Sequence, residues 1–279
     1  MSEIEQSGIY PDLPEAQYHA QRSSLSASGI KTLTQHPPAV FKWQLDNPRT
    51  ESTDAQEFGS VVHELLFGVG QGFDVIEADS FRTKVASEAA KESRANGRVP
   101  ILTAKFTEAQ AMVDSVKSHP VAGMLFSQGE AEQSMFWRDP ETGAMLRLRC
   151  DWLPDPGGGR LIMVDLKTSK SADEESFGKS AADYGYATQS LHYREGAKAL
   201  GLHDDPAFVF VVVEKEPPYL VNVIQLDVVA DDIARAQRRA AIDTFARCME
   251  SGRWPGYGEA VNLASLPYWY VRKFEESAA

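Results

Sequence analysis

Two stretches decide how this chain is read: LRLRCDW (146–152) and, after a glycine turn, LIMVDLKTS (161–169). Side chains on a strand alternate between faces. In the first stretch Arg147, Arg149 and Asp151 share one face, and Leu146, Leu148, Cys150 and Trp152 share the other, which is the core face. In the second, Leu161, Met163, Asp165 and Lys167 lie together, opposite Ile162, Val164, Leu166 and Thr168. Asp165 and Lys167 close an apolar run, where charges seldom stand without partners. If the two strands are neighbours, Asp151 and Asp165 come close, and paired carboxylates repel unless a cation sits between them. Hard oxygen ligands favour Mg²⁺ or Mn²⁺. Lys167 is then placed to position an attacking water and to stabilise phosphate oxygens as charge builds, and Arg147 and Arg149 to grip DNA phosphates. Alternation alone leaves open a structural ion-pair cluster on the solvent face of an edge strand.

Working outward, a turn at residues 139–143 joins the first stretch to an earlier strand, EQSMFWR. Upstream, FTEAQAMVDSVKSHP predicts an amphipathic helix stopped by Pro120, and DAQEFGSVVHELLFGVG predicts another, ended by glycines 68, 70 and 72. Ser26 or Ser28 caps a helix carrying Ile30 and Leu33, and Pro37 and Pro38 start a second one. Residues 1–24 read as an irregular leader, and residues 71–103 as a helical or partly mobile insertion without a core pattern. Downstream, one helix spans DYGYATQSLHYREGAKALG. AFVFVVVEKEPPY is a buried strand paired with LVNVIQLD, and DDIARAQRRAAIDTFARCMESG is a long surface helix. The aromatic tail, 252–279, is expected to pack on the core or on a neighbouring subunit. This order predicts one α/β domain over 1–279, with a mixed central sheet flanked by helices.

The chain's 279 residues, 43% of them hydrophobic, suffice for one large core. It has no apolar run long enough for a membrane helix, and the polar, acidic N-terminus does not resemble a signal peptide, so a cytoplasmic location is expected. Cys150 and Cys248 are its two cysteines, too few for a four-cysteine zinc or iron–sulfur site. The net charge of −12 argues against a protein that coats DNA. It leaves room for an enzyme with a local basic groove, in which metal-holding carboxylates add to the acidic count.

Asp151 on one strand, followed by Asp165-Leu166-Lys167 on the next, resembles the signature of the PD-(D/E)XK nuclease superfamily. Gln189 and Tyr193, four apart on one helical face, are similar to the Gln-x-x-x-Tyr motif of its RecB-like branch. His63 in FGSVVHELLF is similar to the histidine that completes the metal site there. LSASGIKTL and VEKEPPY further resemble the exonuclease VIII (RecE)-like family, over roughly residues 15 to 270. The resemblance implies side-chain metal ligands at His63, Asp151 and Asp165, and a backbone ligand at Leu166. It implies Lys167 serving the water, and Gln189 and Tyr193 fixing the scissile phosphate or the neighbouring groups. Asp at position 165, where the superfamily more often has Glu, keeps the carboxylate, and the RecB-like branch uses it.

The same resemblance implies a two-metal exodeoxyribonuclease using Mg²⁺, with Mn²⁺ as substitute. It would act 5′ to 3′ on ends of linear double-stranded DNA and leave 3′ single strands for recombination. A phage or prophage setting, a ring-like homo-oligomer, favoured as a tetramer, and a single-strand-annealing recombination partner follow from it. Rival readings are an endonuclease of the same superfamily and a non-catalytic DNA-binding or assembly protein that keeps the fold. The helix start at Ser26 and Ser28 is either an ordinary cap or a seat for a DNA 5′-phosphate, with Arg22 or Lys31 nearby. Glu132 reads as structural, with reach to a metal through water as the alternative; Glu214 supports the site or is solvated. His36, His119, His192 and His203 show no ligand spacing.

Overall fold

The computed structural model describes residues 3–48 and 52–278. Its strands are β1 (Gly8–Tyr10), β2 (Ser24–Leu25), β3 (Phe73–Ile76), β4 (Val99–Leu102), β5 (Gly129–Arg138), β6 (Met145–Pro154), β7 (Ile162–Ser169), β8 (Ala207–Glu214) and β9 (Val221–Ile224). Its helices are α1 (Glu15–His19), α2 (Ala27–Gln35), α3 (Pro38–Asp46), α4 (Asp54–Phe67), α5 (Lys84–Ala95), α6 (Thr103–Ser118), α7 (Pro120–Leu125), α8 (Glu174–Tyr184), α9 (Tyr186–Ala199), α10 (Val228–Ser251) and α11 (Tyr268–Ala278).

Seven strands form the main sheet in the order β1-β5-β6-β7-β8-β9, with β2 beside β6. β7 and β8 pair in parallel along their whole length, and β5–β6, β6–β7 and β8–β9 are antiparallel. The sheet is mixed, as the sequence predicts. The interior strand β8, AFVFVVVE, is apolar on both faces because helices cover both. On one side Leu146, Leu148, Met163 and Phe208 meet Ile30 of α2, Ala197 of α9 and Ile242 of α10. On the other, Val164, Val211 and Val213 meet Val61 and Val62 of α4 and Met112 and Val116 of α6.

One glycine fixes how closely a helix lies on the sheet. A Cβ on Gly196 of α9 would stand 2.6 Å from Leu148 Cδ2 and 2.9 Å from the Trp137 ring. Gly196→Val is therefore expected to destabilise the fold by about 1–3 kcal/mol, the usual cost of overpacking. Urea denaturation of the two proteins checks it; equal midpoints would show that the contact is slack.

Two expectations need correction. The leader is not irregular: β1 extends the sheet on β5, α1 follows, and β2 joins β6. These elements are two to five residues long, too short for a period to show. The insertion also has a core. β3 and β4 make a small parallel sheet, and Val99 and Ile101 are buried against α4 and α6. The helix between them, α5, buries Ala86, Ala90 and Ser93, small residues that give little hydropathy signal. The tail meets its own core at its start: Trp254 stacks on Phe41 at 5.5 Å, and the Pro255 carbonyl accepts from Ala39 N at 3.1 Å. Tyr257, Tyr268, Trp269 and Tyr270 are exposed. Among the described residues no helix is long and apolar enough to cross a membrane.

Candidate active site

The site forms where β6 and β7 part. Their ladder consists of one bridge, Trp152 with Val164. One step further in that register, Asp151 stands opposite Asp165. Toward its start, β6 pairs instead with β2, at Met145 and Leu146. Between these two pairings α9 supplies the missing partners: His192 Nε2 lies 3.0 Å from the Arg147 carbonyl, and the Tyr193 hydroxyl donates to the Arg149 carbonyl at 2.8 Å. The β5 side is also irregular here. Pairs flank Glu132 and Asp151 in register, yet these two do not pair, and Glu132 adopts φ +57. A left-handed non-glycine residue is strained, and such strain concentrates at functional sites. At the same place β6 changes sides: Cys150 belongs to the first cluster and Trp152 to the second. The expectation that Leu146 through Trp152 share one core face therefore fails at its last residue.

Asp165 is 4% exposed. Its Oδ1 accepts from Gln189 Nε2 at 2.6 Å, and its Oδ2 lies 2.6 Å from Lys167 Nζ. That Oδ2 is buried and makes no aligned hydrogen bond. Across the gap, His63 Nε2 on α4 is 3.6 Å from Asp151 Oδ1 and 3.8 Å from Glu132 Oε1. A capping box at Thr53 starts α4. The His63 ring rests on Phe67, which stacks on Trp152. The structure thus brings His63, Asp151, Asp165, Lys167 and Gln189 together, with Tyr193 tying β6 behind them.

The electrostatics separate the two carboxyls. Burial and the charge of Asp151 push Asp165 above its ordinary range, against the pull of Lys167 and Gln189. Burial also acts upward on Asp151, but the hydrogen bond and charge of His63, together with the charges of Lys167 and Arg149, hold Asp151 down. Burial opposes the charge on His63 and Lys167, yet the facing carboxylates raise both. Lys167 therefore stays an ammonium.

Among the described residues no three His, Cys, Asp or Glu side chains are arranged around one point as a metal ion requires. The donors fit a divalent cation in kind: an imidazole nitrogen, carboxylates on facing strands, and a buried carboxylate oxygen lacking an aligned donor. In the present arrangement His63 faces Asp151 and the Lys167 ammonium faces Asp165. Leu166 packs its side chain into the second cluster, so its backbone alone is available to the site.

Other expected residues are placed differently. Arg147 is not an open phosphate grip. It is 6% exposed, and its Nη1 donates to the Gln21 carbonyl and, at 2.7 Å, to the carbonyl and hydroxyl of Ser24. Arg149 is engaged by Glu132 and by the Leu13 carbonyl at 2.8 Å. Both arginines brace the N-terminal segment, whose structure the sequence did not reveal. Ser26 caps α2 through Gly29 N, and its hydroxyl lies 2.9 Å from that of Ser28. Lys31 Nζ lies 5.0 Å from the Tyr184 ring centroid. Ser26, Ser28 and Lys31 line one cleft with Asp151, Gln189 and Tyr193. Glu214 holds the loop after β7 by accepting from Ala172 N at 2.9 Å. Glu132 is nearer the centre than expected, and Tyr186, 4.7 Å from Lys167 Nζ, had no place in the sequence reading.

A family model described as a PDDEXK-like domain of unknown function (DUF3799) matches residues 26–267. No curated protein matches the chain. Among solved structures, the fold is similar to that of a candidate exonuclease from Eubacterium rectale. The TM-score is 0.61 at 13% identity, over 93% of this chain and 98% of that one. A phage-related exonuclease from Haemophilus somnus 129PT is also 13% identical, over 82% and 96%, but with a TM-score of 0.36 it adds nothing to the fold assignment.

Proposed function

This chain belongs to the PDDEXK-like DUF3799 family, and from that premise we propose that it is a divalent-metal-dependent nuclease that degrades linear duplex DNA from its ends. The observation that carries the reading is the register that sets Asp151 opposite Asp165, with Lys167 and His63 closing on the pair. His63, Asp151, Asp165 and the Leu166 carbonyl are the proposed ligands for Mg²⁺, with Mn²⁺ as substitute. The ion supplies Lewis acidity and charge neutralisation for phosphodiester hydrolysis.

The chain's own residues do the rest. Lys167 donates to a non-bridging phosphate oxygen and orients the attacking water. Gln189 fixes the Asp165 carboxylate through its 2.6 Å hydrogen bond. Tyr193 holds the β6 backbone beside Asp151. Polarity from 5′ to 3′, 3′ single-stranded products for recombination and an annealing partner rest on the family resemblance. A homo-oligomer, a tetramer by that resemblance, is further supported by the exposed aromatic side chains of Tyr257, Tyr268, Trp269 and Tyr270.

Linear duplex is expected to be degraded with Mg²⁺ or Mn²⁺ and left intact with EDTA, and Ca²⁺ is expected to support little cleavage because its loose coordination positions water poorly. Cleavage undiminished by EDTA would remove the metal. Cutting of closed circular DNA at a rate equal to linear DNA would replace the exonuclease with an endonuclease.

A further inference from the structure

A column of aromatic rings runs from the core to the surface beside Lys167. Phe210, fully buried, faces Tyr186 at 5.4 Å and 30°. Tyr186 faces Tyr184 at 5.7 Å and 27°. Tyr184 ends the column with 58% of its surface exposed. Gly185, between the two tyrosines, adopts φ +71, ending α8 and starting α9 within one residue. That turn sets consecutive helix ends so that the rings stack. A Cβ at Gly185 would be strained and would press on Lys31 Cγ at 3.4 Å.

Lysines flank the column. Lys31 Nζ is 5.0 Å from the Tyr184 centroid, and Lys167 Nζ is 4.7 Å from that of Tyr186. Tyr184 is also the wall shared by two clefts. One holds Asp151, Gln189 and Ser28. The other is lined by Lys167, Lys170, Lys215 and the hydroxyls of Ser171 and Ser176. Lys170 and Lys215 have no carboxylate partner among the described residues. An exposed ring on a rigid stack, with unpaired ammonium groups leading away from it, matches the chemistry of unpaired nucleic acid: a flat base and a run of phosphates.

We infer that Tyr184 is a stacking platform for an unpaired base of the substrate strand, and that the cleft lined by Lys170 and Lys215 takes the adjoining phosphates. The inference rests on the nuclease reading for its substrate and gives that substrate a locally single-stranded form at the site. Tyr184 is a positioning residue: it holds the strand in place while Lys167 and the carboxylates face the phosphate.

The test uses the full chain in EDTA at low salt, with single-stranded oligonucleotides carrying 2-aminopurine or an abasic site at successive positions. Stacking quenches 2-aminopurine. Wild type, Tyr184→Phe and Tyr184→Trp are expected to quench it at one position. Tyr184→Ala is expected to lose the quenching and bind roughly 5- to 100-fold more weakly. An abasic site at that position is expected to weaken wild type and leave Tyr184→Ala unchanged. Retention by Tyr184→Phe separates this from misfolding. Unquenched 2-aminopurine at every position, no binding at all, or equal binding by wild type and Tyr184→Ala would overturn the inference. Quenching without cleavage in Mg²⁺ defeats the nuclease reading and leaves the platform. Cleavage without quenching does the reverse.

Discussion

Lys167→Ala is expected to lower cleavage of linear duplex by about 10²–10³-fold or more while metal still binds, because what it removes is stabilisation of charge that grows in the transition state. The structure adds a second consequence. Lys167 is more than a cleft lysine, since its Nζ lies 2.6 Å from a carboxylate oxygen of Asp165, whose side chain is 5% exposed. Truncation leaves Asp165 beside Asp151 without its cation, and breaking such a pair costs on the order of 3–5 kcal/mol. The Asp165 carboxyl, already raised by burial, rises further. A group raised on folding contributes stability that is present below its unfolded value, near 3.8, and is lost as pH climbs through the folded one. The stability deficit of Lys167→Ala is therefore expected at neutral pH and shrinks on acidification. Mg²⁺ is expected to raise the melting temperature of this variant more than that of wild type. Digestion assays beside calorimetric titration and thermal melts read all three. Near wild-type digestion by Lys167→Ala would reduce the lysine to a salt-bridge partner and end the mechanism.

Asp165→Ala is expected to abolish both activity and specific metal binding, a loss of at least about 10³-fold by the same measure of transition-state stabilisation. Three side chains of this site depend on it. Gln189 loses its acceptor, Lys167 its closest anion, and the carboxylate pair its inner member. Asp165→Asn preserves the volume and the acceptor for Gln189 but not the charge. It is expected to be equally inactive, and to be less stable than wild type because the Lys167 ammonium loses its closest anion. Heat of Mg²⁺ binding is the discriminating readout: a wild-type isotherm from Asp165→Asn would remove Asp165 from the ligand set.

Much of this centre was legible because it obeys strand alternation. Asp151 and Asp165 are marked by charge at the ends of apolar runs, and the antiparallel register sets them facing each other. Gln189 and Tyr193 are marked by helical spacing, and both reach the site region as hydrogen-bond donors. Alternation misled where it breaks. Arg147 and Arg149 share a face with Asp151 in an ideal strand, but the partner on that face is the N-terminal segment. Its two- and three-residue strands leave no periodic trace. The reversal at Glu132 has no sequence marker, since nothing in a glutamate announces φ +57. The end of α8 was read into α9 because Tyr-Gly-Tyr reads as a helical stretch, although Gly185 divides it, and the rest of α8 was not predicted. The small sheet of β3 and β4 was missed because the helix joining them buries alanines.

The single bridge between β6 and β7 has a mechanical meaning. A full ladder holds neighbouring strands at a fixed 4.7–4.9 Å, but here hydrogen bonding clamps them at Trp152 and Val164 alone. Beyond that hinge the gap is set by side chains of α9 on the two strands: Gln189 tethers the Asp165 carboxylate, and Tyr193 tethers the Arg149 carbonyl. The two carboxylates therefore sit in a compliant jaw, able to widen by tenths of an ångström without rupturing a ladder bond. Stiffness enters through one helix, so the spacing of the two carboxylates follows the seating of α9, from side chains outside the carboxylate pair.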